Sequence, residues 1–426
     1  MKRNLGNLVI FAFVFLTVVV WFVFPPLQDG SDTFVRRYAG EILGSIVIVL
    51  MSFSLFLTTR PKWAEPYFGG LDKMYVTHRR LSTVAFLLLF VHLLTVPISI
   101  TDMRIGNYIA IVAFVGIVSI VLVTLAPRIP FLSKFLTGET YDGWKKLHRF
   151  IGIFFILGFI HSLTVKALDA LIPITWVQMF FILGTVSYLY TEIFGGLFKK
   201  YIPYTVEAVK HPNQSTTEVT MRAKKSPIKR QRAGQFLFVY FPQDKILSES
   251  HPFTISSAPH EDVLRLTIKA SGDFTRYLFG NLKPNSDAVI EGAYGMFDYK
   301  SGGQKQIWLA GGIGVTPFLS FIRDMNGSLA HHVDFYYTVR HPEEALFVDE
   351  MKAAAARNPQ LKPHIRFSAT EGSLTIDHIL QNAGGNVSDH HVYMCGPLPM
   401  IQAFEKKFLE LGLPPQQIHY EEFNFR

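Results

Sequence analysis

Four histidines are spaced so that their imidazoles could bind metal ions at two depths of a helical bundle. His78 and His92 are fourteen residues apart, and His148 and His161 are thirteen apart. These steps rise about 21 Å and about 20 Å along a helix. If both helices run in the same direction, His78 lies level with His148, and His92 lies level with His161. Two such levels, each with one imidazole from each helix, are what two stacked bis-histidine haems require.

A second interpretation is that each histidine only hydrogen-bonds a neighbouring helix, although polar groups in hydrocarbon are costly and usually functional. The thirteen-residue step is the weaker part of the pattern, because at 3.6 residues per turn it does not return to the same face. The second helix would need curvature, a local change of winding at Gly152 or Gly158, or haems approached from different sides.

Arginines follow the two histidines that begin these steps. Arg79 and Arg149 come directly after His78 and His148. Haem propionates are anionic, so these guanidinium groups could hold them through charge-assisted hydrogen bonds. The alternative is that they are ordinary basic residues at the ends of membrane spans.

Apolar spans in the first half of the chain would position these histidines. Six windows contain no Asp, Glu, Lys or Arg: 7–26, 42–59, 81–98, 107–127, 150–165 and 171–191. About 20 apolar residues cross a hydrocarbon core, so we expect six transmembrane helices. His92 and His161 fall inside two of the windows. The first window lacks a small-residue cleavage site, so we interpret it as a span rather than a signal peptide.

The distribution of Lys and Arg near the span ends predicts the orientation. With the N-terminus inside, the inner segments carry fourteen basic residues and the outer loops carry four, which are Arg36, Arg37, Arg104 and Lys166. We therefore expect a multi-pass protein of the plasma or inner membrane with both termini in the cytoplasm. Most of the net charge of +8 is then explained without a nucleic-acid partner.

The overall composition narrows the possible classes of protein. The 426 residues are 49% hydrophobic and only 17% charged, which excludes a disordered or collagen-like chain. The single cysteine, Cys395, excludes a disulfide scaffold, a thiolate zinc site and a ferredoxin-type iron–sulfur cluster. It also excludes a covalent c-type haem, which needs two cysteines before a histidine.

The second half of the chain has the pattern of a soluble protein. From about Tyr201, runs such as TEVTMR, QFLFVYF and LRLTIKA predict an antiparallel β domain to about residue 299. Strand and helix patterns alternate after it, through IWLAGG, VDFYYTV, HIRFSAT and HVYMCG, which predicts a parallel, doubly wound sheet. The expected domains are therefore 1–198, 199–299 and 300–426.

Several separated strings resemble one family. The strings HPFTISSAP at 251–259, GDFT at 272–275, LAGGIGVTPF at 309–318 and MCGP at 394–397 resemble the ferredoxin–NADP reductase superfamily. The histidine that leads the first string, and the segment 60–80, are similar to the NADPH oxidase and ferric reductase branch. This resemblance implies a six-helix bundle with two b-type haems, an antiparallel β-barrel FAD domain and a Rossmann-like NAD(P)H domain.

The resemblance assigns roles around a flavin. It implies that Phe253 packs on the flavin, that the Thr254 hydroxyl lies near the reactive nitrogen, and that Pro252 fixes the strand. His251 stands where the soluble reductases have an arginine that contacts the FAD pyrophosphate. The second string would place that pyrophosphate at a helix N-terminus, with the residues Gly272, Phe274 and Thr275.

The resemblance also assigns a nicotinamide site. Three glycines would let the backbone approach a pyrophosphate, namely Gly311, Gly312 and Gly314, and the helix would start at Thr316 and Pro317. Arg340 is expected to bind a 2′-phosphate, which favours NADPH and leaves NADH possible. Residues flanking the nicotinamide would be Cys395, Gly396 and Pro397. A C-terminal aromatic, Phe423 or alternatively Phe425, would cover the flavin until nicotinamide displaces it.

The function that this implies is electron transfer across a membrane. Electrons would pass from cytoplasmic NADPH to FAD, then through the two haems to an acceptor outside, with Thr254, Cys395 and Phe423 at the flavin. The favoured acceptor is dioxygen, which gives superoxide. The alternatives are a ferric or other metal-chelate reductase, electron delivery to a quinone or partner protein, and a six-span transporter. The sequence has no EF-hand loop, so we expect no obligatory calcium.

Overall fold

The computed structural model describes residues 4–98, 101, 103–126, 129, 141–165, 167–195, 200–325 and 330–421. The chain divides near residue 200 into two compact units.

The N-terminal unit is helical. In chain order its helices are α1 (Leu5–Val23), α2 (Phe34–Thr58), the one-turn α3 (Glu65–Phe68), α4 (Leu71–Thr95), α5 (Ile105–Leu125), α6 (Tyr141–Arg149), α7 (Ile151–Thr164) and α8 (Leu171–Leu189), which continues as a π-helical turn over Tyr190–Phe194. Helix α2 packs mainly against α8, and α5 packs mainly against α7.

The surface of this unit is apolar. Large side chains point outward along its helices, among them Phe11, Leu94 and Met179, which are 68%, 78% and 57% exposed. Such a continuous apolar surface is not tolerated in water and indicates contact with lipid. Polar groups inside the unit pair with one another instead. For example, the indole N–H of Trp21 donates to Ser45 Oγ at 2.9 Å.

Among the described residues, five helical stretches are long and apolar enough to cross a membrane: Leu5–Val23, Phe34–Thr58, Ile105–Leu125, Gly143–Thr164 and Leu171–Phe194. The window predicted at 81–98 falls in α4, whose first half carries Asp72, Lys73, Arg79 and Arg80, and α4 is not among the five. The chain is thus a multi-pass membrane protein. Five of its described helices are candidate spans, and the sixth span stays a prediction.

The first half of the C-terminal unit contains an antiparallel sheet, as predicted. Its strands are β1 (Ile202–Asn213), β2 (Thr216–Ala223), β3 (Phe236–Tyr240), β4 (His251–Thr254), β5 (Leu264–Lys269) and β6 (Asp287–Tyr294), with helix α9 (Asp273–Asn281) before β6. In the described residues the order is β4-β3-β6-β1-β2-β5. One bridge, Ile255 to Leu266, joins the end of β4 to β5, and a closed barrel stays a prediction.

The second half of this unit is a parallel α/β layer. Its elements are β7 (Lys305–Gly311), α10 (Thr316–Asp324), β8 (His332–Val339), α11 (Val348–Arg357), β9 (Leu361–Phe367), the one-turn α12 (Ser368–Glu371), α13 (Ile376–Asn382), β10 (His390–Cys395), α14 (Leu398–Glu410) and β11 (Ile418–Tyr420). The described strands run in the order β11-β10-β7-β8-β9. The direction of winding therefore reverses between β7 and β10, which is where such sheets bind ligands.

Burial on both faces explains the sequences of the strands in this layer. The strands are covered on both faces by helices, so they carry continuous apolar runs. Trp308, Phe318 and Phe335 are fully buried and pack together. Helix α11 begins at Val348, directly after Phe347, which adopts a left-handed conformation with φ of 54°. Strand β11 was not predicted.

A buried arginine joins the two layers of the C-terminal unit. The side chain of Arg323, on α10, is only 8% exposed. Its Nε and Nη2 atoms donate to the two carboxylate oxygens of Glu350 at 2.7 and 2.9 Å. From the antiparallel layer it receives two further acceptors, the carbonyl of Ser256 at 2.9 Å and the carboxylate of Glu218 at 3.3 Å. The planar fork of guanidinium donors suits such a multiple contact.

Replacing Arg323 should therefore weaken the contact between the two layers of the C-terminal unit. Removing one partner of a buried ion pair leaves the other charge uncompensated, so R323Q should lower the free energy of unfolding by about 3 kcal/mol. Chemical denaturation of the full chain in detergent measures this. The matched control is R222Q, because Arg222 pairs with Glu207 on an exposed surface. It should change little, and equal effects of the two variants would contradict the assignment.

Candidate functional site

The structure brings the four histidines together in two pairs. His78 and His92 lie on α4, while His148 lies on α6 and His161 on α7. The rings of His78 and His148 are 6.3 Å apart between centroids and nearly perpendicular, at 77°. His92 and His161 are close enough to interact electrostatically.

Both histidines of the second pair are held by backbone carbonyls. Nδ1 of His92 lies 2.9 Å from the Gly40 carbonyl oxygen, and Nδ1 of His161 lies 2.9 Å from that of Gly106. A carbonyl oxygen can only accept, so the proton of each ring resides on Nδ1. The lone pair of each Nε2 is then available to a metal, which is the usual arrangement of metal-binding histidines.

The first pair has a different environment. Nδ1 of His78 lies 2.7 Å from Ser54 Oγ and 3.0 Å from the Ser54 carbonyl oxygen, so it also carries its proton on Nδ1. Among the described residues, the buried Nδ1 of His148 has no hydrogen-bond partner. The ring of His148 stacks on Trp144, with centroids 5.3 Å apart.

A break in the helix alters the thirteen-residue step between His148 and His161. At 3.6 residues per turn, thirteen steps fall about 140° short of four full turns. Helix α6 ends at Arg149, and the N–H groups of Phe150 and Ile153 bond three residues back, to Leu147 and Phe150. Each residue wound in this 3₁₀ manner adds about 20° relative to an α-helix. The tightening therefore turns His161 toward the face that His148 occupies.

The four histidines fit the ligation of two haems. Two imidazoles at each level, three of the four rings with Nδ1 hydrogen-bonded, match the axial ligands of a six-coordinate haem. In the described part of the chain, no group of three or more His, Cys, Asp or Glu side chains could form a metal cage from protein ligands alone.

The two arginines proposed for haem propionates differ in their surroundings. Arg149 forms an ion pair with Glu192, in the π-helical turn that follows α8. A propionate at Arg149 would have to share the guanidinium with that carboxylate. Arg79 is half-buried on α4, one residue after His78.

The strings assigned to the flavin come together in the antiparallel layer. The rings of His251 and Phe274 are in contact, with centroids 3.8 Å apart and planes inclined by 32°, and the ring of Phe253 stacks at 6.2 Å from that of Phe274. Pro252 pairs with Phe238 and Thr254 with Phe236 in the β3–β4 ladder. His251 Nε2 also lies 3.2 Å from a carboxylate oxygen of Glu249. The first two strings thus form one aromatic cluster.

The helix that follows the second string begins with a side-chain cap. Thr275 Oγ1 accepts the backbone N–H of Ser271 at 3.0 Å and of Gly272 at 2.9 Å. The hydroxyl of Thr275 is therefore committed to the turn before α9. The N-terminus of α9, and not this hydroxyl, is the element suited to an anion.

The glycine loop lies at the edge where the parallel sheet reverses its winding. A Cβ on Gly314 would collide with the carbonyl of Cys395, and a Cβ on Gly311 would lie 2.8 Å from Pro397. These two glycines let the loop after β7 pack on the loop after β10. Gly312 has φ of 55°, and a Cβ there would meet nothing within 4 Å. Gly312 is thus the glycine with room for a ligand.

The remaining predicted residues fall around this edge or outside the described part. Gly396 adopts φ of 159°, and Thr316 and Pro317 begin α10 as expected. Cys395 is fully buried, and burial raises the pKa of its thiol well above the usual range. Arg340 is exposed directly after β8. Phe423 and Phe425 lie outside the described residues.

The sequence reasoning missed the acceptors behind the histidines. Gly40, Gly106 and Ser54 hold three of the four rings, and Ser54 also contacts Ser82. Serines and glycines inside apolar spans are the signal that could have indicated them, because small residues let helices approach closely. Arg323 was missed as well, since one arginine in a helix pattern does not reveal its partners.

Two glycine substitutions should separate packing from ligand binding. In G314A the new Cβ meets a backbone carbonyl that cannot move freely, so stability should fall by about 3 kcal/mol. In G312A the left-handed conformation should cost about 1 kcal/mol, while NADPH binding weakens roughly tenfold. Thermal unfolding and NADPH titration of the full chain measure these effects.

The control for both variants is G280A, because Gly280 lies in α9 and a Cβ there meets nothing within 4 Å. It should bind NADPH like the wild type. Wild-type stability of G314A, or unchanged NADPH affinity of G312A, would contradict the roles given to these glycines.

Comparison with known proteins covers most of the chain. The family model for the ferric reductase like transmembrane component matches residues 43–159. Models for an FAD-binding domain and an oxidoreductase NAD-binding domain match residues 202–306 and 308–406. The three matches follow one another along the chain without overlap.

Individual relatives match about half of the chain. The carnitine monooxygenase reductase subunit of Escherichia coli (strain K12) is 29% identical over 182 residues, which cover 41% of this chain and 53% of the relative. A flavohemoprotein of Bacillus subtilis (strain 168) is 24% identical over 242 residues, which cover 54% of this chain and 60% of the relative. The chain spans about half the length of the curated relatives it matches.

Among solved structures, a ferredoxin NADP+ reductase from Neisseria gonorrhoeae with bound FAD and NADP is 19% identical, with a TM-score of 0.44, and the match covers 52% of this chain and 98% of that one. The order of the family matches is more informative than this likeness. The chain has a ferric reductase-like transmembrane component, then an FAD-binding domain and an NAD-binding domain, which is the architecture of the NADPH oxidase and ferric reductase-like family.

Proposed function

We propose that this protein carries electrons from cytoplasmic NADPH across the plasma or inner membrane and reduces dioxygen outside to superoxide. Its domain content makes it an oxidoreductase driven by NAD(P)H and joined to a membrane component. The observation that carries the proposal is the pairing of His78 with His148 and of His92 with His161 at two positions along α4. We assign residues 1–198 to the membrane domain, 199–299 to the FAD domain and 300–426 to the NAD(P)H domain.

The cofactors would supply the redox chemistry. FAD would supply hydride acceptance and one-electron transfer, and two haems would supply a path for single electrons across the hydrocarbon. The protein contributes the positions of its own groups. His251, Phe253 and Phe274 offer an aromatic surface in the FAD domain, and α9 offers an N-terminus to the pyrophosphate.

The nicotinamide substrate would be positioned by the edge where β7 and β10 end. Gly312 offers room for the pyrophosphate, and Arg340 follows the neighbouring strand β8 with its charge exposed. Cys395 stays a neutral thiol there, because burial raises the pKa of its thiol well above the usual range. It therefore supports packing at this edge and does not act as a thiolate nucleophile.

The membrane domain would hold each haem by two imidazoles. The proton on Nδ1 of His78, His92 and His161 is bound by acceptors of neighbouring helices, which leaves Nε2 for iron. Two imidazole ligands to each haem would leave no open position on the iron, so the acceptor would receive its electron at the haem edge. Dioxygen is small enough to do so, and each NADPH then yields two superoxide ions, one NADP⁺ and one proton.

The decisive test is NADPH oxidation by the full chain in detergent, supplied with FAD and haem. In air we expect reduction of cytochrome c that superoxide dismutase suppresses, close to two equivalents per NADPH, without added calcium. The reduced minus oxidised spectrum should be that of low-spin haem. NADPH consumption that requires a ferric chelate or a quinone would replace dioxygen by that acceptor. A five-coordinate spectrum would contradict the histidine ligation.

The choice of NADPH over NADH should depend on Arg340. R340E should raise the KM for NADPH about tenfold, equivalent to about 1.4 kcal/mol, and leave the KM for NADH nearly unchanged. The control is R357E, because Arg357 ends α11 just before β9 starts, at the opposite edge of the sheet. Equal effects of R340E on both nucleotides would show that Arg340 does not bind a 2′-phosphate.

A further inference from the structure

Two serine hydroxyls form a chain behind one of the four histidines. Ser54 Oγ, on α2, lies 2.7 Å from Nδ1 of His78 and 2.7 Å from Ser82 Oγ. His78 and Ser82 are four residues apart on α4, so they share one face of that helix. Ser54 is 4% exposed, so water does not compete freely for these contacts.

The direction of the chain follows from the carbonyl contact. Nδ1 of His78 carries its proton, because it also lies 3.0 Å from the Ser54 carbonyl oxygen, which can only accept. Ser54 Oγ is therefore an acceptor from His78, and its own proton can be donated to Ser82 Oγ. A hydroxyl that donates in this way becomes a better acceptor.

The other three histidines lack such a chain in the described residues. His92 and His161 each have one glycine carbonyl at Nδ1, and the Nδ1 of His148 has no partner there. The two levels thus differ in the chemical groups that accept the histidine N–H. Backbone carbonyls support the level of His92, whereas side-chain hydroxyls add to the support at the level of His78.

We propose that Ser54, assisted by Ser82, positions the His78 ring and raises the basicity of its Nε2, and so lowers the reduction potential of the haem at that level only. The inference rests on the proposed haem ligation. An acceptor at Nδ1 makes an imidazole a stronger electron donor to iron, and this favours the oxidised metal. Ser54 and Ser82 are positioning residues and do not touch the iron.

The test is a potentiometric titration of the full chain in detergent, loaded with haem and followed by its visible absorbance. The wild type should titrate as two haem components. S54A should move one component to a more positive potential and leave the other in place. S82A should move the same component in the same direction by less, because it removes only the outer link. The low-spin electron paramagnetic resonance signal of that haem should shift as well.

The control is S52A. Ser52 lies two residues from Ser54 on α2 and is buried, but its hydroxyl lies 2.7 Å from the carbonyl oxygens of Ile48 and Phe180 and, within the described part of the chain, bonds no histidine. The two haem reduction potentials of S52A should equal those of the wild type. S54T keeps a hydroxyl at this position and should titrate closer to the wild type than S54A does. If S54A fails to retain haem, S82A and S54T still decide the question.

Several outcomes would overturn the inference. Unchanged potentials in both S54A and S82A would do so, as would equal shifts of both components or the same shift in S52A. A wild-type protein that binds no low-spin haem would instead overturn the proposed function. The two failures are therefore distinguishable in the same titration.

Discussion

An N–H group in a hydrocarbon layer is costly unless an acceptor within the bundle receives it, and three of the four imidazoles of the N-terminal unit have such an acceptor. The acceptors for His92 and His161 are carbonyls of glycines on neighbouring helices, at 2.9 Å. Glycine is needed because the helices approach closely. A Cβ on Gly40 would lie 2.6 Å from a side-chain carbon of Val96, and a Cβ on Gly106 would lie 2.8 Å from the backbone of Thr164.

The hydrogen bond that Nδ1 donates also determines whether Nε2 can bind a metal. Once Nδ1 is the donor, Nε2 has a free lone pair, and the same contact orients the ring. The bundle thus presents metal-binding nitrogens without charged groups, which would be costlier to bury than neutral rings. The two levels reach this state by different means, since Ser54 supports His78 and glycine carbonyls support His92 and His161.

The C-terminal unit depends on close backbone packing at one edge. Gly311 and Gly314 have no room for a side chain, because the loop after β10 lies against them. That contact joins the ends of β7 and β10, where the sheet reverses its winding and leaves a crevice. Arg323 then fixes the antiparallel layer against α10 and α11, so the crevice and the aromatic cluster around Phe274 belong to one compact unit.

The amino-acid sequence by itself determined the features that depend on local periodicity. Charge-free windows located the helices, strand and helix alternation indicated the parallel sheet, and the spaced strings indicated FAD-binding and NAD-binding domains. It also placed four histidines at two spacings, although the thirteen-residue step conflicted with a straight helix. These features are readable because side-chain periodicity repeats within a few residues.

Only the tertiary structure decided which groups meet across the fold. Gly40 and His92 are 52 residues apart, Gly106 and His161 are 55 apart, and Glu218 and Arg323 are 105 apart. No local pattern contains such pairs, because the partner of a polar group depends on which helices and strands pack together. The sequence shows where polar groups stand, and packing decides which acceptor each of them finds.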